Sequence, residues 1–222
     1  MLILGVAAAP VLVLLFWFYH RDKYEKEPLG MLIWAFLAGC ISIVPVFIIG
    51  SWWEGNGFKQ EGDNFYLAFY SFVVIALTEE FCKFIFVKRI LRKSYVDEPY
   101  DAILYSVVVS MGFAFVENLL YVSGGGIGVG ILRAFTAVPA HATFGAIMGF
   151  FLGNAKFKNR KTLNTLLALA GAVIMHGFYD YFLFIKNIPL IQLGALVSLI
   201  TGVLITMRAI RIHNHQSPYK IL

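Results

Sequence analysis

Apolar residues run through this chain in long unbroken stretches, and the connections between them are short and polar. Alternation, the mark of a membrane barrel strand, is missing, so each stretch reads as a helix that crosses a bilayer. A crossing takes about 20 apolar residues. By that measure the chain divides into seven spans: 2–20, 29–50, 65–89, 100–122, 129–153, 163–185 and 189–208. The expected fold is an all-α polytopic bundle, with residues 1–222 forming one integral-membrane domain. Pro10, Pro45 and Pro139 fall inside spans, where neighbouring helices can satisfy the carbonyls they free. No basic region precedes the first run, which predicts a retained helix rather than a cleaved signal peptide.

Composition sharpens this picture. Hydrophobic residues make up 59% of the chain and charged residues 14%. A water-soluble surface cannot be covered from that supply. The net charge of +5 would suggest nucleic acid only if it sat on a polar domain. It lies instead in the connections, where it reports orientation. Arg21, Lys23 and Lys26 follow the first span; Lys88, Arg89, Arg92 and Lys93 the third; Lys156, Lys158, Arg160 and Lys161 the fifth; Arg208, Arg211 and Lys220 the last. Only Lys59, Lys186 and Arg133 belong to the other side. The bias predicts an outer N-terminus and a cytoplasmic C-terminus. Trp52 and Trp53 mark the outer interface, and no outer segment is large enough for a receptor domain. Cys40 and Cys82, both in apolar runs, read as packing residues.

Against this background the ionisable residues inside spans stand out. The third span carries Glu79, Glu80 and Lys83, with the lysine on the same helical face as both acids. A charge at mid-span costs about 2.5–3.5 kcal/mol on insertion scales, so it persists where it is paired or used. The fourth span carries Glu117 and Asn118 at the end of a stripe formed by Ser106, Ser110 and Ala114. In the fifth, Arg133, Ala137, His141, Gly145, Gly149 and Gly153 recur every four residues, and the glycines offer a strip for close helix contact. The sixth carries His176 and Asp180 one turn apart, so the carboxylate can fix the imidazole tautomer. The first, second and seventh spans have no central ionisable residue. One shared polar cavity among spans three to six is the expectation.

One lysine cannot neutralise three glutamates and an aspartate, so some acids must be protonated or reach water. The chain has no HExxH motif, no serine nucleophile motif in a suitable span, no aspartyl dyad and no nucleotide-binding loop. A carboxylate that activates water, with histidines to orient it and stabilise an oxyanion, fits what remains. A proton-coupled carrier and a non-catalytic membrane scaffold are the alternatives.

Four blocks then carry a resemblance: EEFCK, DAILYSVVVSMGFAFVENLLY, RAFTAVPAHATFGAIMG and HGFYD, in that order, preceded by FYHRDKYEKEP. They resemble the PrsW intramembrane proteases, relatives of the CAAX-prenyl endopeptidases and bacteriocin-processing proteases, along most of the chain. The resemblance implies a glutamate-type peptidase of the bacterial plasma membrane. Its substrate would be a single-pass anti-sigma factor, cut at site 1 on the outer side. That cut leads to release of a sigma factor for an envelope-stress or virulence response. It also implies Glu79, Glu80, Glu117 and His176 as the catalytic set, His141 as the other histidine block, and Lys83, Asn118, Asp180 and Arg133 in support. By analogy with the prenyl endopeptidases, Glu79 or Glu80 with His141 would activate water, and His176 with Asn118 would hold the oxyanion. No cofactor is expected. Zinc is a possible ligand of the histidines and glutamates but is not favoured. Nucleic acid is not an expected partner; the bilayer is. Flat spans leave a tension, with Glu117 about 10 Å nearer the outer face than Glu79 and Glu80.

Overall fold

The computed structural model describes residues 2–220. Its elements are helical: α1 (Leu2–Arg21), α2 (Leu29–Gly55), α3 (Asn64–Phe69), a π-helical segment (Tyr70–Leu77), α4 (Thr78–Ile90), α5 (Pro99–Phe135), α6 (Ala137–Phe157), α7 (Lys161–Phe184) and α8 (Leu193–His215). Local chemistry places the boundaries. Pro28 is extended and starts α2. The Asp63 carboxylate accepts from the Tyr66 N–H at 2.8 Å and caps α3. Pro99 opens α5, where its missing N–H costs nothing. Arg160, with φ of 65°, turns α6 into α7.

Among the described residues, five helices are long and apolar enough to cross a membrane: α1, α2, α5, α7 and α8. Of the other two expected spans, one is the rod formed by α3, the π-helical segment and α4, and the other is α6. These two hold Glu79, Glu80, Lys83 and His141.

Two expected boundaries need correction. The spans 100–122 and 129–153 divide differently, because α5 continues to Phe135 and α6 begins only at Ala137. Within α5, Gly126 has φ 80° and ψ −176°, a conformation essentially closed to other residues. The chain doubles back there. A Cβ on Gly130 would lie 2.7 Å from the Val122 side chain, which a straight helix of that length could not allow. Residues 127–135 therefore return alongside α5, bringing Arg133 back towards Glu117.

The first half of α5 is the axis of the bundle. Every residue from Pro99 to Ala114 is buried, against α1, α2, α6 and α8. Close approach depends on glycine. A Cβ on Gly112 would lie 2.0 Å from the Phe36 carbonyl oxygen, and one on Gly39 2.0 Å from that of Val109. The expected strip on α6 does the same on another side of α5. A Cβ on Gly149 would fall 2.4 Å from the Ala102 oxygen. The outer faces carry Phe16, Trp34, Ile48, Leu166 and Leu204, all exposed, as a lipid-facing surface requires.

The four basic connections gather at one end. Lys156 Nζ donates to the carbonyls of Lys93 and Val96, Asn214 Nδ2 to that of Arg21, and the Tyr219 hydroxyl to Asp97. At this end Asp22, Glu27, Glu98 and Asp101 are also buried. Burial first, then the adjoining Glu98, pushes the Asp22 carboxyl up to about 8.

Candidate active site

Thr78 begins α4 directly after the π-helical segment, so Glu79 and Glu80 occupy its first turn. Bonds from i to i+5 put more residues into each turn, and eight residues then advance less along the axis. This segment draws Glu79 towards the outer end of its rod. Glu117, meanwhile, lies nine residues before the break at Gly126, roughly 13 Å below it. The depth tension is thereby removed, and a continuous chain of contacts links the acids.

The Lys83 ammonium stands at the centre of one half. It donates to Glu80 Oε1 at 2.6 Å, lies 3.5 Å from Glu79 Oε2 and donates to His141 Nδ1 at 3.4 Å. It also sits 4.2 Å over the Phe113 ring. An ammonium has no acceptor, so His141 Nδ1 is the accepting nitrogen. Its Nε2–H then donates to Glu117 Oε2 at 2.8 Å. The same oxygen accepts from Arg133 Nη2 at 2.6 Å. Ser110 donates to the His141 carbonyl at 2.7 Å.

His176 holds the other half together. Its Nδ1 is 2.9 Å from Glu80 Oε1, and its Nε2 is 3.3 Å from Asp180 Oδ2 and 4.0 Å from Glu79 Oε2. The Phe144 ring stacks on the imidazole, with centroids 4.7 Å apart. Glu80 and Lys83 are buried behind the wall. Glu79, Glu117, Arg133, His141, His176 and Asp180 face a cavity of about 690 Å³, which also touches α2 and α8. One oxygen of Glu79 and one of Glu80 have no hydrogen-bond partner.

Asn118 is placed differently from its expected oxyanion role. Its Nδ2 donates to the Ala7 carbonyl at 3.2 Å and its Oδ1 accepts from Arg133 Nε at 3.0 Å. Both ends are engaged away from the cavity, so Asn118 positions Arg133. Arg133, to which the resemblance gives a supporting role, supplies the second cation. Its signal was local: a glycine-rich turn able to fold it back onto Glu117. Phe144 was missed because nothing in sequence separates it from twenty other phenylalanines.

A family model described as PrsW family intramembrane metalloprotease matches residues 27–208. The chain belongs to the PrsW family of intramembrane proteases. It is 37% identical to Protease PrsW of Geobacillus kaustophilus over 83% of this chain and 81% of that protein. It is 36% identical to Protease PrsW of Bacillus subtilis over 82% of each. The Protease PrsW of Clostridioides difficile is 32% identical, over 82% of this chain and 79% of that protein. No solved structure matches the chain.

The description of the family as metalloproteases implies a metal, and the donor chemistry decides whether one fits here. Glu79, Glu80 and His141 offer ligand atoms within 4.8 Å of one another. The Lys83 ammonium already contacts all three. A second cation there would meet a fixed positive charge and lose the His141 nitrogen that Lys83 occupies. The arrangement as it stands does not fit a metal ion.

Proposed function

We propose that this PrsW protein cleaves a single-pass anti-sigma factor in the bacterial plasma membrane, with a glutamate-activated water as nucleophile and no metal. The observation that carries the mechanism is Glu79, which lines the cavity while its Oε2 makes no hydrogen bond and lies 3.5 Å from the Lys83 ammonium and 4.0 Å from His176 Nε2. In this reading Glu79 takes the proton of a water that attacks the scissile carbonyl. It then passes that proton to the leaving amine. Glu80 and Asp180 hold the two nitrogens of His176 and fix its ring beside Glu79 in the cavity wall. Glu117 and Arg133 form the opposite wall and receive the substrate backbone. The substrate class rests on the family resemblance. The outer N-terminus rests on the basic connections, which share one end of the bundle.

The test is cleavage by pure protein reconstituted with single-pass anti-sigma factors, with products mapped by mass and chelator present or absent. Glu79→Gln removes the base and leaves the Glu80–Lys83 pair in place. It should lower the rate by about 10²–10⁴-fold. A Glu79→Gln enzyme at full rate would exclude Glu79 as the base, and loss of activity on chelation that Zn²⁺ restores and Mg²⁺ or Ca²⁺ does not would exclude the metal-free mechanism.

A further inference from the structure

A second group of acids lies at the far end of α5, 16 residues or about 24 Å from Glu117. Asp22, Glu98 and Asp101 come from the α1–α2 connection, the N-cap of α5 and its first turn. They are 1%, 0% and 0% exposed, and each offers an oxygen within 4.8 Å of the others. Glu98 and Asp101 stand as N-cap and third residue in a reciprocal capping arrangement. By strict geometry only one half closes: Asp101 Oδ2 accepts from the N–H groups of Asp97 and Glu98, at 2.8 Å each. Both oxygens of Glu98, both of Asp22 and Oδ1 of Asp101 are buried without a partner.

Buried carboxylates are expensive unless something neutralises them. The ion pairs among the described residues all belong to the cavity site, and none involves these acids. Two lysines are close by, yet they are committed elsewhere. Lys26 donates to the carbonyls of Tyr19 and Asp22, and Lys156 to those of Lys93 and Val96. Glu27, just outside the group, is engaged by the Tyr105 hydroxyl. What is left is an enclosed, all-oxygen set from separate chain segments, the donor chemistry of a hard divalent cation.

We infer that Asp22, Glu98 and Asp101 form a structural binding site for a divalent cation of the Mg²⁺ or Ca²⁺ class, which fastens the α1–α2 connection to the start of α5. With the three oxygens within 4.8 Å of one another, small side-chain adjustments bring all of them to Ca–O distances of about 2.3–2.6 Å from one ion. Mg²⁺ would draw them closer and keep waters. The site is independent of the proteolytic reading.

The full chain in detergent, stripped with chelator, is titrated separately with Mg²⁺ and Ca²⁺ while its thermal unfolding is followed. Mn²⁺ bound per chain is counted by electron paramagnetic resonance. The expected result is a saturable rise of several degrees in Tm with at least one ion and one Mn²⁺ per chain. Both should vanish in Glu98→Gln and Asp22→Asn and persist in Glu79→Gln. The wild-type titration is informative even where a variant does not fold. Absence of a saturable rise would overturn the proposal. So would a rise that Glu98→Gln and Asp22→Asn retain or Glu79→Gln abolishes, or an infrared band showing that protons neutralise these acids under saturating cation.

Discussion

At the scale of residues, the two adjacent glutamates have different surroundings. Glu80 is wholly buried and bonded to Lys83 and His176, whereas Glu79 opens on the cavity. Replacement should separate them. Glu79→Gln is expected to lower cleavage by about 10²–10⁴-fold with an unchanged Tm. Glu80→Gln should also unfold more easily, by about 3–5 kcal/mol, because it strips a buried ammonium of its nearest partner. Denaturation in detergent beside a cleavage assay checks both, and equal stability of the two variants would contradict this division. Arg133 gives a third test. Its planar fork meets Glu117 and Asn118 together, which a lysine cannot reproduce. Arg133→Lys should therefore lower kcat while leaving the fold intact, and a wild-type kcat would count against the role. Sequence singled out the polar residues themselves because charge inside an apolar run is conspicuous. It could not say which glutamate faces the cavity, since adjacent residues differ by only about 100° around a helix.

At the scale of elements, the bundle depends on backbones that nearly touch. Gly112→Ala would drive a methyl group into the Phe36 carbonyl, and backbone cannot yield as a flexible side chain would. A loss of about 1–3 kcal/mol is expected, read as a lower Tm. Gly30→Ala, with nothing within 4 Å, should be close to neutral and serves as the control. Gly126→Ala acts through conformation instead. An alanine is strained at φ 80°, so the chain gains by straightening, and Arg133 leaves Glu117. Activity should fall by more than stability does. The α6 glycine strip was legible in sequence through its spacing of four. The Gly39–Gly112 pair was not, because each is single on its helix and its meaning lies in the partner. The π-helical segment was equally hidden: YSFVVIAL is as apolar as any ordinary span.

At the scale of the whole molecule, the exposed apolar faces and the clustered basic connections propose one orientation. With Cys40 and Cys82 replaced, a cysteine at position 59 should react with an impermeant maleimide added outside intact cells. One at position 159 should react only after lysis. The reverse pattern would invert the orientation and, with it, the side on which the cut falls. Hydropathy alone determined that the chain is a helical membrane bundle, about where most spans lie, and which polar residues had to be explained. Those follow from the cost of exposing apolar surface to water or charge to lipid, which any apolar run reports locally. Tertiary structure alone decided that α5 doubles back at Gly126, that Glu79 lines the cavity while Glu80 and Lys83 stand behind it, that Asn118 serves Arg133, and that Asp22 meets Glu98 and Asp101 at the far end of α5. Each depends on two pieces of chain distant in sequence sharing a few ångströms of space, and no local pattern records that distance.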